Sequence, residues 1–153
     1  MGRKPIVSPL EAHLGYWIRS VSNQVSHTFN LKVAAHDVTV AEWVVLSVLF
    51  QAHAMMPSVL AERLGMTRGA ISKLADRLVG KALIARTASE QDLRAQTLAL
   101  TAAGRKLVPV LSSLADANDA EFFGHLDPVS RTAIEAAMKD IVRRHGLRTV
   151  PLN

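Results

Sequence analysis

Apolar residues along this chain recur mostly at three- and four-residue spacing, the pattern of helices resting on a core, and switch to strand-like alternation in one short region. Between Pro9 and His36, Leu14, Trp17, Ile18, Val21, Val25 and Phe29 form a single stripe, which predicts a long first helix. A second helix starts at Thr39-Val40-Ala41-Glu42, a capping box whose threonine and glutamate side chains can each satisfy a free backbone donor. Its body is apolar on most sides. Leu60, Ala61 and Leu64 share the inner face of a third, short helix, and Ile71, Leu74, Ala75 and Leu78 that of a fourth. After Thr101 comes a fifth helix carrying Pro109, which lacks a backbone donor and is expected to bend it before it stops near Gly124. Asp127-Pro128 opens a sixth as cap and first-turn proline, with Ile134, Ala137, Met138, Ile141 and Val142 on its apolar face.

The segment Ser58–Leu78 meets the geometric needs of a helix-turn-helix. Ala61 is small enough to let the fourth helix cross closely, Gly65 accepts the positive φ that a tight helix end requires, and Thr67 is placed to cap the next helix. Arg68, Gly69, Ser72, Lys73, Asp76 and Arg77 share the opposite, outer side, and the first four lie in the half that such a motif inserts into a major groove. A helical hairpin with a solvated charged face would show the same residues. The next segment of the chain favours the motif: Leu83–Arg86 and Gln96–Leu100 read as two short strands, with Leu98 and Leu100 on one face, around the polar tip Ser89–Arg94. A helix-turn-helix trailed by such a hairpin is a winged helix. Arg94 is then the natural wing contact, and Asp92 is placed to hold it or to stiffen the tip. The competing reading is a charged loop that only aids solubility.

At four places the chain resembles the multiple-antibiotic-resistance regulator (MarR) family of bacterial winged-helix repressors: LGYWIRS from Leu14, TVAEWVVLSVL from Thr39, LAERLGMTRGAISKLADRL from Leu60, and Asp92-Leu93-Arg94 running into LALTAAGRKL from Leu98. The resemblance implies a mainly α fold with a small β-wing. Residues 1–36 and 102–153 would supply dimerisation helices that interlock with a second copy, and 37–101 the winged helix-turn-helix. Periodicity alone leaves open whether the terminal helices cover their own protomer instead. The resemblance also implies a crevice lined by helices one, two and five that takes a small aromatic or phenolic effector. His13, Tyr16, Trp17 and Trp43 are the candidates for it, unless the tryptophans are core and His13 is surface. One departure stands out. Ala82 occupies the place where the family commonly has a glycine before the first wing strand, so the helix is expected to end early, near Gly80, and spare Ala82 a left-handed backbone.

Composition narrows the function. The 153 residues carry a net charge of +5, and the stretch Ser58–Thr101 holds seven basic side chains against four acidic ones, so the excess concentrates where the motif places an anionic partner. The absence of cysteine excludes disulfides, thiolate zinc sites and thiol-oxidation switches. The six histidines show no ligand spacing, and no phosphate loop, dinucleotide fingerprint, zinc-protease pair or serine elbow is present. Neither metal, cofactor nor enzymatic activity is therefore expected. No secretory leader is visible, and the longest apolar run, Trp43–Phe50, is too short to span a bilayer; a cytoplasmic protein with no membrane partner is expected.

These features predict a sequence-specific DNA-binding transcriptional regulator, a dimeric repressor on a palindromic operator relieved by a small aromatic ligand. Thr67, Arg68, Gly69, Ser72, Lys73, Arg77, Arg86, Asp92 and Arg94 are the expected DNA-facing set, with Arg68, Ser72 and Lys73 toward base edges and Arg77, Arg86 and Arg94 toward backbone or minor groove. The alternative is a winged-helix module that binds protein without reading sequence.

Overall fold

Burial follows the predicted stripes. The computed structural model describes residues 5–88, 95–148, 150 and 152. A 3-10 turn at Leu10–Ala12 precedes α1 (Leu14–Ala34), α2 (Val40–Gln51), β1 (Ala54–Met55), α3 (Pro57–Leu64), α4 (Arg68–Gly80), β2 (Ile84–Ala88), β3 (Gln96–Leu100), α5 (Ala102–Phe123) and α6 (Pro128–Arg144). The core joins Leu46 and Leu49 of α2, Leu60 and Leu64 of α3, Ile71 and Leu78 of α4, Ile84, Leu98 and Leu111, all closed to solvent. Each comes from a stripe of leucine, isoleucine or valine whose transfer out of water contributes about 1.5–3 kcal/mol per side chain. The helix caps form as expected: Thr39 Oγ1 accepts from the Glu42 amide at 3.1 Å, Thr67 Oγ1 from the Ala70 amide at 3.1 Å, and Asp127 from the Ser130 amide at 2.9 Å. Hydrogen bonds from the Ser130 hydroxyl and amide hold the Asp127 carboxyl below its ordinary range.

The sheet has the order β1-β3-β2 and is antiparallel throughout, with Arg86 opposite Leu98 and Ala54 opposite Ala99. β2 extends two residues beyond the expected Arg86. β1 was not expected; two residues are too few to show alternation, and their pairing with β3 follows a positive φ of 41° at His53 that no motif signals. The expected first helix, Pro9–His36, is also divided. His13 is extended, because the Glu11 carbonyl accepts from the Trp17 indole at 2.9 Å and the Leu10 carbonyl from the His13 amide at 3.1 Å, so the turn is satisfied without a continuous helix. α5 runs through Pro109 without interruption.

One closure recurs at the helix ends. α1, α3, α4 and α6 are each followed by a left-handed residue, Asp37 (φ 57°), Gly65 (62°), Ala82 (57°) and Gly146 (58°). In each case the next amide reaches back five residues: Val38 to Val33, Met66 to Ala61, Leu83 to Leu78 and Leu147 to Val142. These Schellman closures satisfy carbonyls that the helix would otherwise leave free. The expectation for Ala82 is thereby corrected. α4 does end at Gly80, yet Ala82 is still left-handed, since the closure needs one such residue between Lys81 and the amide of Leu83. Ala82→Gly is expected to raise stability by about 1 kcal/mol, the relief of the left-handed alanine less the added freedom of the unfolded chain. A higher denaturant midpoint at unchanged slope would report it, and a lower midpoint would refute it.

The same turn fixes the base of the wing. Thr101 donates its amide to Leu83 O at 3.1 Å and its hydroxyl to Ala82 O at 2.6 Å, while its Oγ1 accepts from the Gly104 amide at 3.1 Å. Gly104 makes this approach possible, because a Cβ there would lie 2.1 Å from Leu83 O.

Candidate nucleic-acid interface

α4 is seated by Ile71, Leu74, Ala75 and Leu78, all buried, which forces Arg68, Gly69, Ser72, Lys73, Asp76 and Arg77 outward, where all are exposed. Thr67 is exposed too, and its hydroxyl is used in capping. That cap takes the Ala70 amide and leaves the amides of Arg68 and Gly69 at the helix start pointing out. A side chain at Gly69 would meet nothing within 4 Å, so the outer surface of this first turn is open. Helix starts of this kind favour anions through free N–H groups and the helix dipole. Among the described residues no carboxylate pairs with Arg68, Lys73 or Arg77.

Two other basic residues are engaged. Arg86, expected to face DNA, is ion-paired with Asp76, which ties β2 to α4. Lys81, half-buried, links the end of α4 to the start of α2. Its Nζ lies 2.9 Å from Glu42 Oε2 and 2.5 Å from Asp37 O, and Glu42 is only 1% exposed. The same Glu42 oxygen accepts from the Thr39 amide at 2.9 Å. Asp92 and Arg94, the expected wing residues, lie outside the described residues.

The candidate ligand residues are dispersed. Trp43 lines a crevice of about 300 Å³ between α1, α2 and α5, together with Phe29, Asn30, Val44, Asn118 and Asp119. Trp17 lines an adjoining apolar groove with Ile18, Val21, Phe123 and Ile134, which shares Val25 and Ser26 with the crevice. His13 and Tyr16 border a further depression with Leu10 and Arg19. Tyr16 and Trp17 touch edge to face at 5.1 Å, but they sit more than three turns from Phe29 on α1, roughly 18 Å along its axis. Among the described residues no group of histidines and carboxylates could hold a metal, and no helix is long and apolar enough to cross a membrane.

Against known proteins, residues 38–95 match the MarR family, the span from α2 into the wing. The HTH-type transcriptional regulator PrsX of Escherichia coli is 27% identical over 112 residues, covering 72% of this chain and 68% of PrsX. A mutant MarR of E. coli complexed with operator DNA superposes with a TM-score of 0.75 at 25% identity, over 84% of this chain and 93% of that one. Over this span in sequence, and over most of its length in fold, the chain is similar to the MarR family. BpsR of Bordetella bronchiseptica, a structure concerned with regulation of DNA binding by 6-hydroxynicotinic acid, shares the fold at a TM-score of 0.76 and 22% identity, over 88% of this chain and 96% of its own.

Within this MarR fold, sequence reasoning missed Asn118 and Asp119. Asn118 is 4% exposed, donates to Val25 O at 3.2 Å and accepts from Lys32 at 2.9 Å, so it clasps α1 to α5 at the edge of the crevice. Its signal was present: it falls seven residues after the buried Leu111, on the same face of one helix, where a polar residue needs a partner.

Proposed function

We propose that this protein is a member of the MarR family, a homodimeric, cytoplasmic transcriptional repressor that reads a palindromic operator with α4 and the wing, and that a small aromatic ligand in the Trp43 crevice releases it. The observation that carries the reading is the row of cations on the outer face of α4, without carboxylate partners among the described residues and held outward by a fully buried stripe. In this reading Arg68, Ser72 and Lys73 approach base edges and Arg77 and Arg94 the backbone, while Arg86 orients α4 through Asp76. Likeness to a MarR complexed with operator DNA supports the partner.

Residues 1–36 and 102–153 serve self-association. α6 has no buried residue, and Ile134, Ile141 and Val142 on it, like Leu14, Trp17 and Val21 on α1, remain at least two-fifths exposed within one protomer. Apolar faces of this extent call for a partner, and a second copy related by a two-fold axis would set two α4 helices about 34 Å apart, one turn of duplex. No catalytic role is proposed. A ligand would act by favouring a spacing of the two lobes unsuited to DNA, which requires it to bind that conformation more tightly. BpsR, regulated by 6-hydroxynicotinic acid, is a precedent within the fold.

Selection of the purified protein on a random duplex library near physiological salt tests the reading. The expected outcome is a palindrome with half-sites about one helical turn apart. Absence of enrichment would favour a winged-helix module that binds protein.

A further inference from the structure

The wing leaves the body of the protein at one point. β2 begins at Ile84, β3 ends at Leu100, and these two residues pair, so the turn from Lys81 to Leu83 sets the direction of the hairpin relative to α4. Ala82 in that turn is left-handed, a backbone that alanine does not favour by itself. Two side-chain contacts hold this corner. Asp76 pairs with Arg86, but both side chains meet water and the pair is open to screening by salt. The Thr101 hydroxyl donates to Ala82 O at 2.6 Å, and its oxygen accepts from the Gly104 amide at 3.1 Å. One hydroxyl thus joins the turn between α4 and β2 to the first turn of α5. Its two bonds need different chemistry: capping Gly104 takes only an acceptor, whereas holding Ala82 takes a proton. Because Ala82 is exposed, water can replace the hydroxyl at its carbonyl. Losing that bond costs the fold little and frees the direction of β2.

We infer that Thr101 is a positioning residue for DNA binding: its hydroxyl proton, by fixing the Ala82 carbonyl, aims the wing at the duplex that α4 holds. This rests on the reading of the wing as a DNA contact. Thr101 itself stands at the wing base, on the far side of the strands from the tip, and acts only through the hairpin.

Variants of the full chain separate the two bonds. Thr101→Asp keeps the cap but brings no proton to Ala82 O, Thr101→Ser keeps both, and Arg94→Ala removes the expected wing contact alone. Affinity for the selected operator and for random duplex is measured by fluorescence anisotropy across a salt series, beside a thermal melt of each variant. Arg94→Ala is expected to weaken operator binding roughly 10-fold and to flatten the salt dependence by about one unit per lost phosphate contact. Thr101→Asp should reproduce most of that loss while melting close to the native protein, and Thr101→Ser should bind as the native protein does. The double variant Thr101→Asp with Arg94→Ala should bind no worse than Arg94→Ala, since a misdirected wing has no contact left to lose. Thr101→Val, which loses cap and proton without adding a charge, should show the same non-additivity against Arg94→Ala. Losses that multiply in the double variants, as a general loosening or a stray charge would give, would overturn the inference. So would a Thr101→Asp protein that binds like the native one while Arg94→Ala does not. If Arg94→Ala leaves affinity and salt dependence unchanged, the wing reading falls and the inference with it.

Discussion

Replacing Lys81 with methionine is expected to lower folding stability by about 1–3 kcal/mol, less than stranding a member of a fully buried ion pair costs, because the Lys81 side chain is 27% exposed and water reaches the pair. Glu42 is 1% exposed, and its Oε2 meets Lys81 Nζ at 2.9 Å. Methionine fills the same volume as the lysine stem but leaves the carboxylate without a countercharge, and it also frees the Asp37 carbonyl that Lys81 now holds at 2.5 Å. The second variant separates charge from packing. Glu42→Gln in the Lys81→Met background should recover most of the loss, because glutamine can still reach back to the Thr39 amide as the capping box requires, and no charge remains buried. Chemical denaturation of the four members of this cycle gives the coupling directly. A loss below about 1 kcal/mol for Lys81→Met would mean that water serves Glu42 as well as lysine does.

Arg68→Ala is expected to weaken operator binding by about 1–3 kcal/mol per half-site, or roughly 2–6 kcal/mol for a symmetric dimer, and to relax discrimination at one base position in each half. Arg68 stands in the first turn of α4, exposed, and no carboxylate among the described residues competes for it. Arg77→Ala, more than two turns further along, should instead weaken all sequences alike and reduce the salt dependence by about one unit per lost phosphate contact. Quantitative binding on the selected operator and on random duplex, each across a salt series, distinguishes the two outcomes. Equal losses on both duplexes for Arg68→Ala would place it on the backbone and move base reading elsewhere on α4.

Much of this architecture was legible in the sequence because burial has a period. The stripes Leu60-Ala61-Leu64 and Ile71-Leu74-Ala75-Leu78 are buried throughout, and Gly65 and Thr67 do what their chemistry allows at a helix end. What escaped depends on contacts between residues far apart in the chain. Lys81 counts as one more cation of a basic segment until the fold sets it beside Glu42, 39 residues away. Arg86 looks free until β2 carries it to Asp76. Ala82 breaks the local rule that left-handed positions go to glycine, and the compensating bonds to Thr101 come from beyond the wing. The crevice shows the same limit. Helical spacing put Tyr16 and Trp17 in contact at one end of α1, but could not tell that His13 is extended ahead of the helix or that Trp43 lines a crevice with Phe29 and Asn118 instead.

The junction of Thr101 and Gly104 with Ala82 and Leu83 gives α5 a mechanical role. The first turn of that helix is bolted to the wing base, with no room for even a methyl group between them. Its other half carries Ala115, Asn118 and Asp119 into the crevice wall, some 24 Å along the same axis. The helix is thus a lever arm: a tilt of ~10° pivoting at the crevice end would sweep the wing base through about 4 Å, given a rigid rod of that length. A displacement of under an ångström where a ligand sits can, through leverage alone, become a misfit of several ångströms where the phosphates would be.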